Sequence, residues 1–210
     1  MAGSCRAACR NCRREGVKLM LKGVRCETAK CPMEKEYRNK PPGMHSWRRR
    51  KSSEYAVRLR EKQKIKRYYG VLERQFQRLF ALAERSHDNT GVALLQLLER
   101  RLDNAVYKAG LAGSRRTGRQ ALTHGHFLVN GRRVDRPSYL IKVGDRITVR
   151  EREKSKAFVR DQIGEDELRQ VQAWLQVDPK KAEAVVVALP TRDDVQIPVE
   201  EQLIVEFCSR

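Results

Sequence analysis

Apolar side chains recur at helical spacing in two adjacent stretches near the middle of the chain. The first stretch predicts an amphipathic helix over about residues 71–85, because its apolar positions share one face. These positions are Leu72, Phe76, Leu79, Phe80 and Ala83. The sequence Asp88-Asn89-Thr90-Gly91 then breaks the pattern and caps the next helix. That helix is predicted to continue to Gly110, with Leu95, Leu98, Leu102 and Val106 on its apolar face.

The stretch before these helices is polar on every side. Ser52 or Ser53 is suited to cap a helix that continues to about Arg67. Basic residues surround this helix without a broad apolar stripe, so we expect it to need an external partner for stability. Upstream, Pro41 and Pro42 exclude helix and mark a turn-rich linker.

A further helix and a small antiparallel sheet are predicted beyond residue 110. Ser114 is suited to cap a helix that stops at His124-Gly125. The dipeptide Asn130-Gly131 accepts the positive φ angles of a type I′ turn, which indicates a hairpin over residues 127–134. Residues 147–149 would close the sheet.

The last sixty residues predict three short elements. A helix is expected over about residues 165–174, and the apolar run 184–189 is typical of a strand. Pro198 is well placed in the first turn of a closing helix that continues through Phe207.

The chain is strongly basic, and its charge is uneven. Its 210 residues carry a net charge of +19, which is ordinary for a protein that neutralises phosphates. Residues 1–67 hold 21 lysines and arginines against 6 acidic residues, residues 68–150 hold 15 against 7, and residues 151–210 hold 9 against 13. We therefore expect the phosphate-facing surface in the first two segments. The acidic last segment should pack on the protein, or face water or another protein.

The chain has no apolar run close to the ~20 residues that span a bilayer, and no apolar signal core near its N-terminus. We expect a cytoplasmic protein. In that reducing compartment cysteines serve as metal ligands more often than as disulfides.

Four of the six cysteines follow the pattern C-x2-C-x13-C-x4-C in the basic N-terminal segment: Cys9, Cys12, Cys26 and Cys31. Two thiolates two residues apart can bind one ion from a single turn, and a second pair completes a tetrahedral shell. The segment up to Pro42 has too little apolar periodicity to fold unaided, so a bound metal would supply the missing stability.

Zinc is the expected ion at these thiolates. A 4Fe-4S cluster accepts four thiolates equally well, and the spacing does not exclude it. The alternative is a set of unrelated free thiols. Cys5 and Cys208 fall outside the pattern.

Several motifs, in this order along the whole chain, resemble the bacterial small-subunit ribosomal protein four family in its cysteine-containing, metal-binding form. They include Cys9-Arg-Asn-Cys-Arg-Arg-Glu-Gly16, Pro41-Pro42-Gly43, Lys66-Arg-Tyr-Tyr-Gly70, Leu98-Glu-Arg-Arg-Leu-Asp103, Val129-Asn-Gly-Arg132 and Glu201-Gln-Leu-Ile-Val-Glu-Phe207. Within this match, residues 99–161 resemble the RNA-binding module shared with some pseudouridine synthases and tyrosyl-tRNA synthetases.

The resemblance implies an α+β fold with a metal-stapled N-terminal arm, a mainly helical domain, and a small α/β RNA-binding module of two helices plus a short antiparallel sheet. The implied boundaries are 1–45 for the arm, 46–98 for the helical domain completed by 190–210, 99–161 for the module, and 162–189 for the remainder of the second domain.

The resemblance also implies a non-enzymatic structural constituent of the ribosome. Such a protein binds 16S ribosomal RNA early and nucleates assembly of the body of the 30S subunit. The implied neighbours are ribosomal proteins five and twelve, through which it contributes to translational accuracy, other small-subunit proteins, and messenger RNA where it enters the ribosome. No membrane and no small-molecule substrate is expected, and the implied location is the small subunit in the cytoplasm.

Rigid guanidinium forks on two adjacent helices and a hairpin suit the fixed phosphates and 2′-hydroxyls of a structured RNA. Binding should therefore be selective for shape. The residues predicted to bind RNA are Lys22, Arg25, Arg48, Arg49, Arg50, Lys51, Arg58, Lys62, Lys66, Arg67, Arg100, Arg101, Arg115, Arg116, Arg119, His124, Asn130, Arg132 and Arg133. For any one arginine a solvated surface charge is an equal alternative. Asn130-Gly131 is best explained by turn chemistry, and His124 with His126 by helix capping or RNA contact rather than catalysis.

Two other classes of protein use similar parts. An RNA-modifying enzyme would need a large sheet and an acidic catalytic centre, for which little chain remains outside 99–161. A stress-type RNA-binding protein that recognises stalled large subunits would separate from small subunits on sedimentation.

Overall fold

The computed structural model describes residues 7–45, 51–86, 88–163, 172–179 and 181–209. Over these residues the fold is α+β, with eight α-helices and one five-stranded antiparallel sheet. The chain divides into two compact units, residues 1–94 together with 196–210, and residues 95–195. Within the described ranges, every helix is too short or too polar to cross a bilayer.

The helices follow one another along the chain as α1 (Ala8–Glu15), α2 (Glu54–Tyr69), α3 (Glu73–Glu84), α4 (Thr90–Glu99), α5 (Leu102–Lys108), α6 (Arg115–His124), α7 (Glu153–Ile163) and α8 (Glu201–Cys208). The strands are β1 (Phe127–Val129), β2 (Arg132–Arg133), β3 (Arg146–Val149), β4 (Leu175–Asp178) and β5 (Glu183–Val186). A single 3₁₀ turn covers Gly23–Cys26.

Helix α2 ends where its local chemistry predicts. The Ser53 hydroxyl accepts a hydrogen bond from the Ala56 N–H, and Gly70 closes the helix in the left-handed conformation. Its partner lies within the same unit, because α2 packs against α8 and α1 and buries Ile65, Tyr68 and Tyr69. The partners that this helix was predicted to need are therefore supplied by other helices of the same chain. One of them, α8, comes from the far end of the chain, which no local pattern reveals.

The single helix predicted up to Gly110 is in fact two helices, α4 and α5. Arg101 adopts an extended conformation between them and pairs with Leu140. The Ile141 N–H donates to the Arg100 carbonyl, and the Leu102 N–H donates to the Tyr139 carbonyl. This distant loop supplies the hydrogen bonds that a continuous helix would have made internally, so tertiary pairing overrides the periodic pattern.

The sheet of the second unit has the strand order β2-β1-β3-β5-β4. The β1–β2 hairpin confirms the predicted turn, with φ of 51° at Asn130 and 76° at Gly131. Val129, Ile147 and Ala184 lie in register on one face and join the buried core that also includes α5 and α6.

The C-terminal predictions were partly wrong. Of the helix expected over 165–174, residues 165–171 lie outside the described residues, and 172–174 are not helical. Helix α7 precedes this region instead, over residues that carried no predicted element. The predicted strand 184–189 is the shorter β5, which forms a hairpin with β4.

Candidate nucleic-acid interface and cysteine cluster

Helix α6 is fixed at both ends and lies close to α5. The Ser114 hydroxyl accepts a hydrogen bond from the Thr117 N–H at 3.2 Å, and Gly125 ends the helix at a φ of 74°. Gly118 is buried, and a methyl group there would lie 3.2 Å from the Asp103 carbonyl oxygen of α5. The glycine therefore permits the close approach of the two helices.

A buried ion pair holds the start of α5. Arg101 is 1% exposed, and its Nε and Nη2 donate to the two Asp103 carboxylate oxygens at 3.1 and 2.9 Å. The Asp103 carboxylate lies 4.0 Å from the Arg119 Nε of α6. This bidentate geometry satisfies charges that would be costly to bury alone. It favours a structural role for Arg101 over the predicted RNA contact.

Arg115 lies in a second buried network of the same unit. Its Nε donates to the Asn104 side-chain oxygen at 2.7 Å, and its guanidinium lies 4.6 Å from the centre of the Tyr107 ring. Asn104 in turn donates to the Glu99 carboxylate at 2.5 Å. Arg115 is buried, so its surroundings also favour a structural role over RNA contact.

Five of the remaining predicted residues in this unit are exposed, namely Asn130, which is described below, and Arg116, His124, Arg132 and Arg133. The last four come from α6 and from the short hairpin strand that follows it. Arg133 lies over Gly125, where a methyl group would stand 2.7 Å from the Arg133 Nε. The absence of a side chain at Gly125 therefore makes room for this arginine. We call Arg116, Arg132 and Arg133 the module arginines.

Arg100 and Arg119 are half-buried. The Arg100 Nε donates to the Ile141 carbonyl oxygen at 3.0 Å. Burial lowers the pKa of Arg119, although the Asp103 charge opposes that shift. Each of the two side chains therefore makes contacts within the unit, Arg100 with Ile141 and Arg119 with Asp103.

The Asn130 side chain makes hydrogen bonds to other residues of its own unit. Its amide nitrogen donates to Asp145 at 2.8 Å, and its oxygen accepts the Arg146 N–H at 2.9 Å. Turn geometry and these two bonds account for asparagine at this position without any RNA contact.

The predicted RNA-binding cations of α2 form ion pairs within the first unit. Arg58 bonds to Glu54 and Glu206, Lys62 and Lys66 both bond to Glu73, and Arg67 bonds to Glu15. Each pair except Arg58–Glu54 ties α2 to another helix, namely α1, α3 or α8. Burial alone would raise the pKa of Glu73, but hydrogen bonds from Lys62 and Lys66 outweigh it and lower that pKa.

The other predicted cations of the first unit are exposed where the structure describes them. Lys22, Arg25 and Lys51 face solvent. Arg48, Arg49 and Arg50 lie outside the described residues.

The four patterned cysteines line one small cavity, together with Leu21, Pro32 and Met33. Cys12, Cys26 and Cys31 are buried and Cys9 is half-buried. The Lys22 N–H donates to the Cys26 sulfur at 3.4 Å, and the Leu19 backbone bonds to the Cys12 thiol. A Lys18–Glu34 ion pair joins two parts of this segment. We call residues 7–45 the cysteine arm.

Burial raises the pKa of Cys12 and of Cys26, and repulsion by the neighbouring cysteines raises both further. The four side chains line the same cavity, which places them close enough for this repulsion. Among the described residues no group of three or more histidine, cysteine or acidic side chains is spaced to hold a metal ion. Four cysteine thiols are the donor set that zinc or an iron–sulfur cluster takes, so the residue types fit such a metal, whereas their spacing in this structure does not form a ligand shell.

Sequence reasoning missed several charged residues of the interior, among them Glu99 and Lys108. Lys108 is 5% exposed, and burial lowers its pKa. The short spacing from Arg101 to Asp103 is a sequence signal for an ion pair. Because arginine is seldom buried, however, a cluster of charged residues predicts an exposed surface.

These elements define a basic protein with a candidate nucleic-acid-binding unit. One unit is a bundle of short helices, and the other presents arginines from packed helices and a small sheet. A family model described as "Ribosomal protein S4/S9 N-terminal domain" matches residues 5–99. A second family model, described as "S4 domain", matches residues 100–147.

Relatives match almost the whole chain. The small ribosomal subunit protein uS4A of Symbiobacterium thermophilum is 54% identical over 202 residues, covering 96% of both chains. The uS4 protein of Halothermothrix orenii is 52% identical over 96% of both, and the uS4A protein of Alkaliphilus metalliredigens is 51% identical over 97% of both. The chain belongs to the uS4 family of small ribosomal subunit proteins.

Proposed function

We propose that this chain binds 16S ribosomal RNA as a primary binder and nucleates assembly of the body of the 30S subunit. As a member of the uS4 family it is a structural, non-enzymatic constituent of the ribosome in the cytoplasm, and it binds ribosomal RNA. The observation that supports the further proposal is the set of module arginines, exposed on α6 and β2 of a unit in which Arg101 and Arg115 are already bonded in the interior.

The physical basis is preorganisation. The Arg101–Asp103 pair and the Arg115–Asn104 network fix α5 and α6 before any RNA arrives. Arginines on a fixed support lose less conformational freedom on binding, and their forks match phosphate geometry. Such a surface recognises the shape of a folded RNA more than its sequence.

Competition filter binding tests the specificity. Full-length protein should retain 16S ribosomal RNA in the presence of an unrelated structured RNA of similar length, with a steep salt dependence of affinity. Equal affinity for both RNAs would contradict the proposal. Sedimentation adds an independent readout, since recovery with large subunits alone would favour the stress-type alternative.

We further propose that the protein contacts ribosomal proteins five and twelve, and messenger RNA where it enters the ribosome, and so contributes to translational accuracy. The support is the family resemblance. Crosslinking within purified small subunits, followed by mass spectrometry, should recover peptides of this chain joined to protein five. Their absence, together with crosslinks to unrelated neighbours, would contradict this arrangement.

The cysteine arm is proposed to bind a structural metal through Cys9, Cys12, Cys26 and Cys31, either zinc or a 4Fe-4S cluster. Four converging thiols and the two backbone bonds to sulfur support this. The metal would rigidify the arm. Elemental analysis of native protein should find zinc, or iron with sulfide. A negligible metal content with all four thiols open to alkylation would refute the site.

A further inference from the structure

A basic groove lies on the second unit, and most of its cations belong to residues 151–210, the segment whose net charge is negative. Five cations line it: Arg150, Arg152, Lys156, Arg160 and Lys181. They come from the connection between β3 and α7, from α7 itself and from the loop between β4 and β5. The groove has a volume of about 880 Å³, which is within the range of ligand-sized pockets. We call it the α7 groove.

Four of these cations have no acidic partner in the described part of the chain. Neither Arg150, Arg152, Lys156 nor Lys181 forms an ion pair there, in contrast to the paired cations of α2. Arg160 lies 3.8 Å from Glu153, but both side chains are largely exposed, so this contact is weak.

The two acidic residues of the lining leave the positive charge in excess. Glu183 bonds to Arg146 at 2.8 Å and is thereby neutralised, which leaves Glu151. Several like charges that face one cavity repel one another, and an anion placed there relieves that repulsion.

The chemistry of the lining indicates the kind of anion. None of the lining residues is aromatic, so the groove offers no platform on which a base could stack. Its lysines and arginines are suited to phosphates, and its floor is made of aliphatic and hydroxyl groups, including Leu128 and Thr148. A sugar–phosphate backbone fits such a lining better than exposed bases do.

The groove is continuous with the hairpin. Leu128 pairs with Arg133 on one side and with Thr148 on the other, so these three side chains form one row across the sheet. The groove floor is therefore adjacent to one of the module arginines. A nucleic-acid strand that contacts Arg133 can continue along the same face into the groove.

We propose that the α7 groove binds the phosphodiester backbone of a ribosomal RNA strand, as a contact additional to the module arginines. The proposal rests on the proposed function, because it names a second RNA contact of the same protein. The proposal gives an RNA-binding role to part of residues 151–210, which their net negative charge predicted would pack on the protein or face water or another protein.

The test compares two double variants of the full-length chain. The groove variant is Lys156→Gln with Lys181→Gln. The control variant is Lys142→Gln with Lys154→Gln, two exposed lysines of the same unit outside the groove lining. Both lose two positive charges, so any general effect of net charge is shared. The measurements are filter binding to 16S ribosomal RNA over a range of salt, and hydroxyl-radical footprinting of the bound RNA.

The groove variant should reduce the slope of log affinity against log salt by about 1.4 to 1.8, as expected for two lost phosphate contacts. It should also lose protection over one RNA segment while the others persist, and the control should keep both properties. Identical behaviour of the two variants would overturn the groove proposal and favour an acidic protein partner. Failure of the proposed function differs, since wild-type protein would then bind unrelated RNA equally well.

Discussion

The cysteine arm and the α5–α6 pair both contain many charged residues, but different side chains fill their interiors. In the α5–α6 pair, Arg101 bonds to Asp103 and Arg115 bonds to Asn104, all four buried beside an apolar core. In the cysteine arm, Leu19 and Leu21 are buried, and four thiols face a small cavity. We propose that the first region is folded by its own side chains, whereas the second depends on a metal bound by its sulfurs. On this proposal the RNA-facing module is the region that is ordered without a ligand.

Removal of one thiol should have the largest effect and should be confined to the arm. Cys26→Ser is expected to reduce metal content from about one equivalent to near none, since structural zinc sites contribute about 10–16 kcal/mol and need all four ligands. Amides of residues 7–45 should then exchange faster with solvent, as hydrogen-exchange mass spectrometry would show.

Cys208→Ser is the matched control, because Cys208 lies outside the cavity and the pattern. It should retain full metal content. If Cys26→Ser keeps its metal, or if exchange rises equally in α5 and α6, the contrast between the two regions fails.

Loss of the buried carboxylate should be the largest effect within the module. Asp103→Ala leaves Arg101 buried without its partner, which is expected to cost about 3–5 kcal/mol of unfolding free energy. Denaturant unfolding can be followed through buried Trp174 in a Trp47→Phe background, since the chain has two tryptophans.

The control for this variant is Asp135→Ala, which removes an exposed aspartate from the same unit. Its unfolding free energy should stay within about 0.5 kcal/mol of wild type. An equally small change for Asp103→Ala would show that Arg101 is not a structural residue.

A smaller effect is expected where charges are paired at the surface. Glu73→Gln removes the partner of Lys62 and Lys66 and should cost about 0.5–1 kcal/mol at neutral pH. The pKa of Glu73 lies below its ordinary value of 4.5, so the stabilisation is present above that value and lost as pH falls through the lowered pKa.

Unfolding measured from neutral to acidic pH checks this sign. The difference between wild type and Glu73→Gln should shrink as the pH falls below about 4.5. A difference that grows on acidification would show that the ion pairs do not account for the stability of α2.

The sequence predicts helix caps and turns correctly where neighbouring residues alone determine them. The caps at Ser53 and Ser114 and the turn at Asn130-Gly131 satisfy their own backbone bonds, so the sequence contains the cause of each. The break between α4 and α5 is different. A loop about forty residues away creates it, and helical periodicity continues through it unchanged.

The candidate site shows the same limit. A run of arginines indicates a basic surface, yet burial divides Arg115 from Arg116 although they are neighbours in sequence. Which of the two faces solvent depends on the angle at which α6 packs on α5, a property of the assembled unit. The α7 groove was missed for a related reason, because its cations are separated in sequence by acidic residues.

The most direct test of the account measures RNA affinity and stability on the double variant Arg116→Gln with Arg133→Gln. If the module arginines bind RNA from a preformed support, the salt slope of binding to 16S ribosomal RNA should fall by about 1.4 to 1.8. The unfolding free energy should remain within about 0.5 kcal/mol of wild type. An unchanged salt slope, or a loss of stability that accounts for the weaker binding, would contradict the account.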